Sequence, residues 1–468
     1  MIYSLSTITA NYRYERSIPC RKIITLLFML ARNLICHECA RIFKFLKKII
    51  ASKDFIERNR TSSTAFTRKR KLPINTLIVF LINFVRGSYQ DELDKFFKTI
   101  LRLDIAKRLV SKAALSKARA KLKFDAFVEL NEHLINYFEK KFSARNWFGF
   151  RLLAIDGSTT RLPIYQDIIE HFGTLKGPHG APSPMARVSQ LFDVLNKLTI
   201  DAAITPKSFG ERQLAAEYHF LKLMPNDLLL LDRGYPAWWL FRLILCRQAN
   251  FCARISCTKW KAVRKFYKSG KTEKVIDLAI NATSKKPCKQ WSLDITPIKV
   301  RLIRIERDGL VQVLITSLLD MKRYPIEIFY DLYHCRWPIE EDYKSLKSRM
   351  ELENFSGQSA LSVYQDFYAK IFYKNLVSIL AIPARKALEN ETADRKYAYQ
   401  INFTHALFQS KGVIALMFHQ TESKIRQMIA DLCDLFQRTV EPIRPGRKYP
   451  RSNKVKARKF FLQYKPIG

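Results

Sequence analysis

The 468-residue chain predicts an α/β protein with helical regions at both ends. Three observations carry that expectation. The apolar runs at 151–155 and 227–231 lead into Asp-Gly and Asp-Arg-Gly-Tyr, as buried strands closed by turns do. Between Ser111 and Phe142, residues such as Leu115, Ala118, Leu122, Phe127, Leu130, Leu134 and Phe138 recur mostly at three- and four-residue steps, the period of an amphipathic helix. Residues 251–320 are rich in β-branched and aromatic side chains, which points to a β-rich segment.

Each element follows in order. A strongly basic extension, 1–73, ends in Arg68, Lys69, Arg70 and Lys71 before Pro73. A helical region, 74–147, opens with the apolar run Ile74 to Val85, breaks at Gly87-Ser88 and resumes from Tyr89 to Leu101. The first part of an α/β core, 148–250, holds the strand before Asp156. It continues with a hairpin of Val188–Val194 and Leu198–Ala203 around Asn196-Lys197, a helix over 211–224, and the strand before Asp232. Pro236 suits the first turn of the next helix. The β-rich insertion, 251–320, contains the pair Ile298–Glu306 and Leu310–Leu318 around Arg307-Asp308-Gly309, a hairpin turn. A further core helix spans 321–355, helices continue over 356–440, and a tail, 441–468, carries nine basic and no acidic residues from Arg444 onward. That tail reads as an extended arm that orders on a polyanion.

Hydrophobic residues make up 48% and aromatics 12%, which excludes wholesale disorder. Lys and Arg number 81 against 42 Asp and Glu, a net charge of +39. An enzyme of small neutral metabolites has no use for that excess, whereas a polyanionic partner offsets its self-repulsion. The candidates are nucleic acid, an anionic membrane surface or a ribonucleoprotein. The membrane reading is weak: the apolar stretch Ile23 to Ile35 contains Arg32 and falls short of the roughly 20 residues a spanning helix needs. No small-residue cleavage site follows it, so it reads as a buried or interface helix. The nine cysteines are scattered, and Cys36-x-x-Cys39 has no second pair at zinc spacing. The expectation is a reduced, cytoplasmic, nucleoid-associated chain with structural thiols.

Phosphoryl transfer assisted by two metal ions needs hard oxygen ligands converging on cations about 4 Å apart. Asp156 and Asp232, each just past an apolar strand, would stand at one sheet edge if those strands are neighbours. Aspartate also commonly caps strand ends, so either residue by itself has a structural explanation. Tyr333, Arg336, Glu340 and Lys347 lie at offsets of three, seven and fourteen, within roughly 60° of one another on a helix. Leu332, Ile339, Tyr343, Leu346 and Met350 form a mostly apolar stripe suited to packing on the sheet, and Pro338 should kink the helix. One carboxylate between two cations and a phenol suits a metal ligand flanked by phosphate clamps. Taken by itself, the stripe is equally a solvated face with Glu/Lys pairs.

On these residues the chain resembles insertion-sequence DDE transposases of the IS-four type. Tyr333-x2-Arg336-x3-Glu340-x6-Lys347 matches that family's Y-R-E-K signature, and LLAIDGST and LLLLDRGY match its two aspartate boxes. The segment SKARAKLKFDAF in the N-terminal helical region is also similar. The resemblance implies an RNase-H-like catalytic core interrupted by the β-rich insertion, with helical N-terminal and C-terminal regions. It implies that Asp156, Asp232 and Glu340 are the catalytic residues and coordinate two Mg²⁺ or Mn²⁺ ions, and that Tyr333, Arg336 and Lys347 bind DNA. The implied function is cutting and joining double-stranded DNA at terminal inverted repeats by hydrolysis and 3′-OH strand transfer into target DNA. The N-terminal helices would recognise the ends, the C-terminal helices would support their pairing, and a homodimer would hold two ends. The alternatives are an RNase-H-like nuclease without strand transfer and a domesticated, non-catalytic DNA-binding protein. In a relative of this family a tryptophan of the insertion stacks a flipped base. Here Gln312 stands near that place, and neither Trp260 nor Trp291 can be assigned the role.

Other conspicuous residues read as structural. Trp238 and Trp239 suit core or interface positions, His171 and His179 have no partner at zinc spacing, and Asp193 and Asp201 read as solvent-facing hairpin residues.

Overall fold

The computed structural model describes residues 18–444, apart from 69, 84–85, 177–181, 259 and 308, and residues 18–31, 175, 176 and 182 only as backbone. His179 and the basic tail beyond 444 lie outside the described residues.

Among the described residues, six helices precede the sheet: α1 (Ile18–Ile50), α2 (Lys53–Asn59), α3 (Ile74–Ile82), α4 (Tyr89–Leu101), α5 (Lys112–Arg119) and α6 (Asp125–Lys141). Their starts follow from local chemistry. Ser52, Ser88 and Ser111 each stand in extended conformation before α2, α4 and α5 and accept an otherwise unpaired backbone N–H of the first turn. The single periodic stretch 111–142 divides into α5 and α6, which turn about one another between Ala120 and Phe124.

The sheet opens with β1 (Arg151–Arg161), α7 (Gln166–Phe172), β2 (Thr174–Lys176), β3 (Pro182–Asp193), β4 (Leu198–Pro206) and α8 (Glu211–Glu217). A 3₁₀ turn (His219–Lys222) leads into β5 (Asp227–Leu231), α9 (Trp238–Cys246) and β6 (Asn250–Ile255). β3 runs antiparallel to both β1 and β4, while β5 runs parallel to β1 and β6 parallel to β5. The order β4-β3-β1-β5-β6, with its second strand reversed, is the RNase-H-like arrangement. Leu152 to Ile155 and Leu228 to Leu231 are fully buried. At about 1.5–3 kcal/mol for each fully buried large apolar side chain, these two strands anchor the core.

Beyond β6 come α10 (Lys261–Lys268), β7 (Glu273–Leu278), α11 (Ala282–Gln290), β8 (Ile298–Arg307) and β9 (Leu310–Thr316). β9 pairs antiparallel with β6, so the inserted strands extend the core sheet in the order β6-β9-β8-β7. The β-rich stretch from Phe251 therefore opens on a core strand, β6. A core strand and an inserted one bury the same kinds of side chain, so composition does not separate them. α10 and α11 also lie in this segment and were not expected.

The chain then forms α12 (Ile328–His334), α13 (Pro338–Lys344), a π-helical turn (Ser345–Arg349), α14 (Ala360–Leu380) and α15 (Ile382–Glu391). It ends with β10 (Tyr399–Ile401), α16 (Phe403–Ser410), α17 (Val413–Met417), α18 (Glu422–Arg438) and β11 (Val440–Pro442). α14 starts on a reciprocal capping pair, Ser359 with Ser362, and is buried along nearly its whole length against α6, α3 and β4. α1 packs on α18, α15 and α6, so the two helical ends share one core.

Several expectations are corrected. Pro236 precedes the helix, because Ala237 is still extended and α9 begins at Trp238. Asp193 is buried, not solvent-facing: its carboxylate accepts from the backbone N–H of Leu195 and Asn196 and from the Asn196 amide, closing the β3–β4 turn. Asp201 points inward to His219. Trp238 is fully buried with its indole N–H on the Leu278 carbonyl, as its core reading requires. No described helix is long and apolar enough to cross a membrane.

Candidate active site

Strand register brings the two aspartates together. β1 and β5 pair in parallel through Ala154↔Leu230, and two residues further along each strand stand Asp156 and Asp232. The first strand does not close at Asp156, as its Asp-Gly pair suggested, but continues paired with β3 to Arg161. Asp156 therefore stands midway along β1 and Asp232 just past the end of β5, each two residues beyond the last β1–β5 pair, on strands that run about 4.8 Å apart where they pair. A nearby backbone N–H orients each carboxylate: Asp156 Oδ1, within β1, accepts from Gly157 N at 2.9 Å, and Asp232 Oδ1, in the turn after β5, from Gly234 N at 2.7 Å.

The Y-R-E-K segment is not one helix. α12 stops at His334, residues 335–337 make tight turns, and α13 begins with Pro338 in its first turn. Proline there lacks only a donor that the first turn leaves unpaired anyway, so it restarts a helix rather than kinking one. A π-helical turn then holds Lys347, a widening frequent at functional sites. Despite both irregularities, the signature residues face the sheet edge. Arg336 Nη2 donates to Glu340 Oε1 at 2.5 Å, and Tyr333 lies under the Arg336 guanidinium at 6.0 Å. Lys347 Nζ donates to Ser158 Oγ at 2.5 Å, two residues beyond Asp156. Arg336 Nε is buried with no hydrogen-bond partner among the described residues, a donor that an anionic ligand would satisfy.

The electrostatics agree with a crowded acidic edge. Burial raises the Asp156 carboxyl to about 6; the Gly157 N–H and Arg336 oppose the rise, while Asp232 and Glu340 add to it. Asp156 thus feels both other carboxylates and the guanidinium. Burial also pushes the Tyr333 phenol up to about 12, against the pull of Arg336 and Arg254. The Lys347 ammonium is lowered by burial, with Glu353 and Asp156 working against that.

Hard oxygen donors with too little compensating charge fit a divalent cation in charge and chemistry. Their arrangement here is not a closed cage. Among the described residues, no three His, Cys, Asp or Glu side chains cluster closely enough to hold one ion, and Glu340 is engaged by Arg336. Asp156 and Asp232 share the sheet edge, while the Glu340 carboxylate must turn from its guanidinium to join them.

Sequence reasoning missed several contributors. Tyr343, placed on the apolar stripe, does pack against the sheet, but its hydroxyl also donates to the Asp156 carbonyl at 2.9 Å. Ser189, His219 and Asp201 form a buried chain ending at the same carbonyl. Glu211, at the start of α8, lies against Gly157 and accepts from Arg187 at 2.5 Å. No spacing pattern joins these residues, which come from β3, β4, α8, the 3₁₀ turn and α13 and meet only in the folded chain.

An RNase-H-like sheet with one aspartate midway along β1, a second just past β5 and a glutamate on α13 is the arrangement expected of a DDE-type domain. Residues 147–376 match the family model described as a transposase DDE domain. The chain is 24% identical over 409 residues to the transposase InsG for insertion sequence element IS4 of Escherichia coli (strain K12), covering 85% of this chain and 89% of that protein. Among solved structures, it is similar to a piggyBac transposase synaptic complex with hairpin DNA, at a TM-score of 0.42 and 10% identity, covering 83% of this chain and 85% of that one. Residues 147–376 are thus a transposase DDE domain, and the chain is similar over most of its length to a transposase of the IS4 type.

Proposed function

We propose that this transposase cuts DNA at the ends of an insertion sequence and joins the freed ends to target DNA, using two divalent cations. The observation that carries the reading is the shared level of Asp156 and Asp232 on neighbouring parallel strands, with Glu340 electrostatically coupled to Asp156. Mg²⁺ or Mn²⁺, when bound by Asp156, Asp232 and Glu340, would activate the attacking oxygen and stabilise the leaving one.

The protein's own groups do the rest. Arg336, with its unpaired Nε, holds a phosphate oxygen beside Glu340 and releases that carboxylate as DNA takes its place. Lys347 exchanges Ser158 for a second phosphate oxygen, and Tyr333 offers its hydroxyl to the same strand. Strand transfer requires a freed 3′-OH to stay in place while target DNA enters, which such clamps allow. Double-stranded DNA at the inverted repeats and at the target is the substrate. A homodimer, associated with the nucleoid, is the simplest assembly that holds two ends.

Asp232→Ala tests the assignment. DNA binding should stay within about twofold, while cleavage of an end-containing duplex with Mg²⁺ or Mn²⁺ falls roughly a thousandfold. Equal cleavage by the variant rejects the site. Strand transfer from pre-cut ends distinguishes the transposition chemistry: nicking without joined product makes the protein a nuclease, and binding without either makes it a non-catalytic DNA-binding protein.

A further inference from the structure

The main-chain carbonyl of Asp156 collects side-chain hydroxyls from two different elements. Tyr343 on α13 donates at 2.9 Å, and Ser189 on β3 donates at 3.3 Å. Ser189 Oγ lies 2.8 Å from His219 Nε2, and His219 Nδ1 lies 2.7 Å from Asp201 Oδ2. Ser189 and His219 are fully buried. The line runs from β4 through the 3₁₀ turn and β3 to β1, and it ends on the residue that carries the first carboxylate. A core histidine satisfied on both nitrogens needs no functional role. Two features set this one apart: its chain ends at the Asp156 carbonyl, and a hydroxyl from the element carrying Glu340 converges on the same oxygen.

We propose that Asp201, His219 and Ser189, with Tyr343, are positioning residues that fix the peptide plane of Asp156 and thereby aim its carboxylate. The inference rests on the reading of Asp156 as a metal ligand. Asp201 accepts from His219 Nδ1–H and so orients the imidazole, Nε2–H donates to Ser189 Oγ, and the Ser189 and Tyr343 hydroxyls donate to the carbonyl from the sheet side and the helix side. Through Tyr343, the same oxygen sets the distance between β1 and the α13 turn that carries Glu340. Supporting contacts of this kind around a metal site typically change metal affinity by about 10–100-fold.

The test uses the full chain and Mn²⁺ as probe. Mn²⁺ affinity is read by electron paramagnetic resonance, cleavage is titrated against Mn²⁺, and amide hydrogen exchange is followed in the peptide spanning Asp156 to Ser158. Ser189→Ala and His219→Asn should each weaken Mn²⁺ binding about tenfold, speed exchange at 156–158 and leave DNA affinity unchanged. His219→Gln, whose amide reaches the place of Nε2, should recover most of the loss, and Ser189→Ala with His219→Asn should be no worse than the more affected single variant. Tyr343→Phe should act in the same direction. Mn²⁺ affinity and exchange within twofold of wild type in Ser189→Ala and His219→Asn overturn the proposal, as does a loss in His219→Gln equal to that in His219→Asn. Asp156→Asn runs alongside: if it binds Mn²⁺ and cleaves like wild type, the site reading itself fails. If it is inactive while the Ser189 and His219 variants behave normally, only the relay fails.

Discussion

Asp156 carries a cost that the rest of the sheet offsets. Burial raises its carboxyl to about 6, and neighbouring Asp232 and Glu340 add to the rise. An unfolded aspartate titrates near 3.9, so between roughly pH 4 and pH 6 the folded state holds more proton than the unfolded one. Stability therefore falls as pH rises through that window. Asp156→Asn keeps the oxygen that accepts from Gly157 and removes the charge. In the presence of a chelator it should stabilise the protein by about 1–3 kcal/mol at pH 7.5, with the gain vanishing below about pH 4. Urea denaturation at both pH values reads this directly. No gain at pH 7.5 would mean that the carboxylate is not penalised in the folded protein, and the electrostatic part of the argument for a cation there would fall. Such strain is expected of a group kept for binding rather than for folding.

At the scale of elements, α14 ties the acidic edge to the body of the protein. Lys374, buried within it, donates to the Asp342 carboxylate on α13, to Thr199 Oγ1 at 2.7 Å and to Gln190 Oε1 at 3.2 Å. The contact holds α13, and so Glu340, at a set distance from the sheet. Lys374→Met leaves the Asp342 carboxylate buried and unpaired, which should destabilise by about 3–5 kcal/mol. Lys374→Met with Asp342→Leu should recover most of that loss. A denaturation double-mutant cycle measures the coupling; additive effects would show that the pair is not a unit. The same elements mark what the sequence makes legible. β1 and β5 stand out because solid apolar runs of that length suit a buried strand, although β1 continues past Asp156 to Arg161, and α4 because the break at Gly87-Ser88 marks its start. The angular argument for Tyr333, Arg336, Glu340 and Lys347 assumed a continuous α-helix, yet a turn and a π-helical segment interrupt it. With both irregularities in place, Arg336 lies against Glu340 and Lys347 against Ser158 of β1. The Asp201–His219–Ser189 chain was not legible, since its three members come together only through strand register and a short 3₁₀ turn.

For the whole molecule, the excess of 39 positive charges must be matched by its partner. Among the described residues, cations project from separate surfaces: Lys107, Lys112, Lys117 and Lys123 around α5, and Lys261, Arg264, Lys265 and Lys268 along α10. α10 turns only Val263 and Phe266 inward, so its basic face gains nothing for the core. Two such clusters, one around α5 among the N-terminal helices and one on α10 in the insertion, offer more cationic side chains than a compact anion would use. If DNA lies along both, each neutralised phosphate releases counterions, and affinity should fall linearly in log–log form with salt, with a slope near −0.9 per contact. A footprint of roughly six to ten phosphates predicts a loss of about 10³–10⁵-fold between about 50 and 200 mM salt. Replacing Lys261, Arg264, Lys265 and Lys268 together by glutamine should make that slope shallower by up to about four and leave the melting temperature within a degree or two, because all four side chains are exposed. Fluorescence anisotropy across a salt series measures both slopes. An unchanged slope in the quadruple variant would remove α10 from the DNA surface, and a flat wild-type response would separate the charge of this chain from nucleic acid altogether.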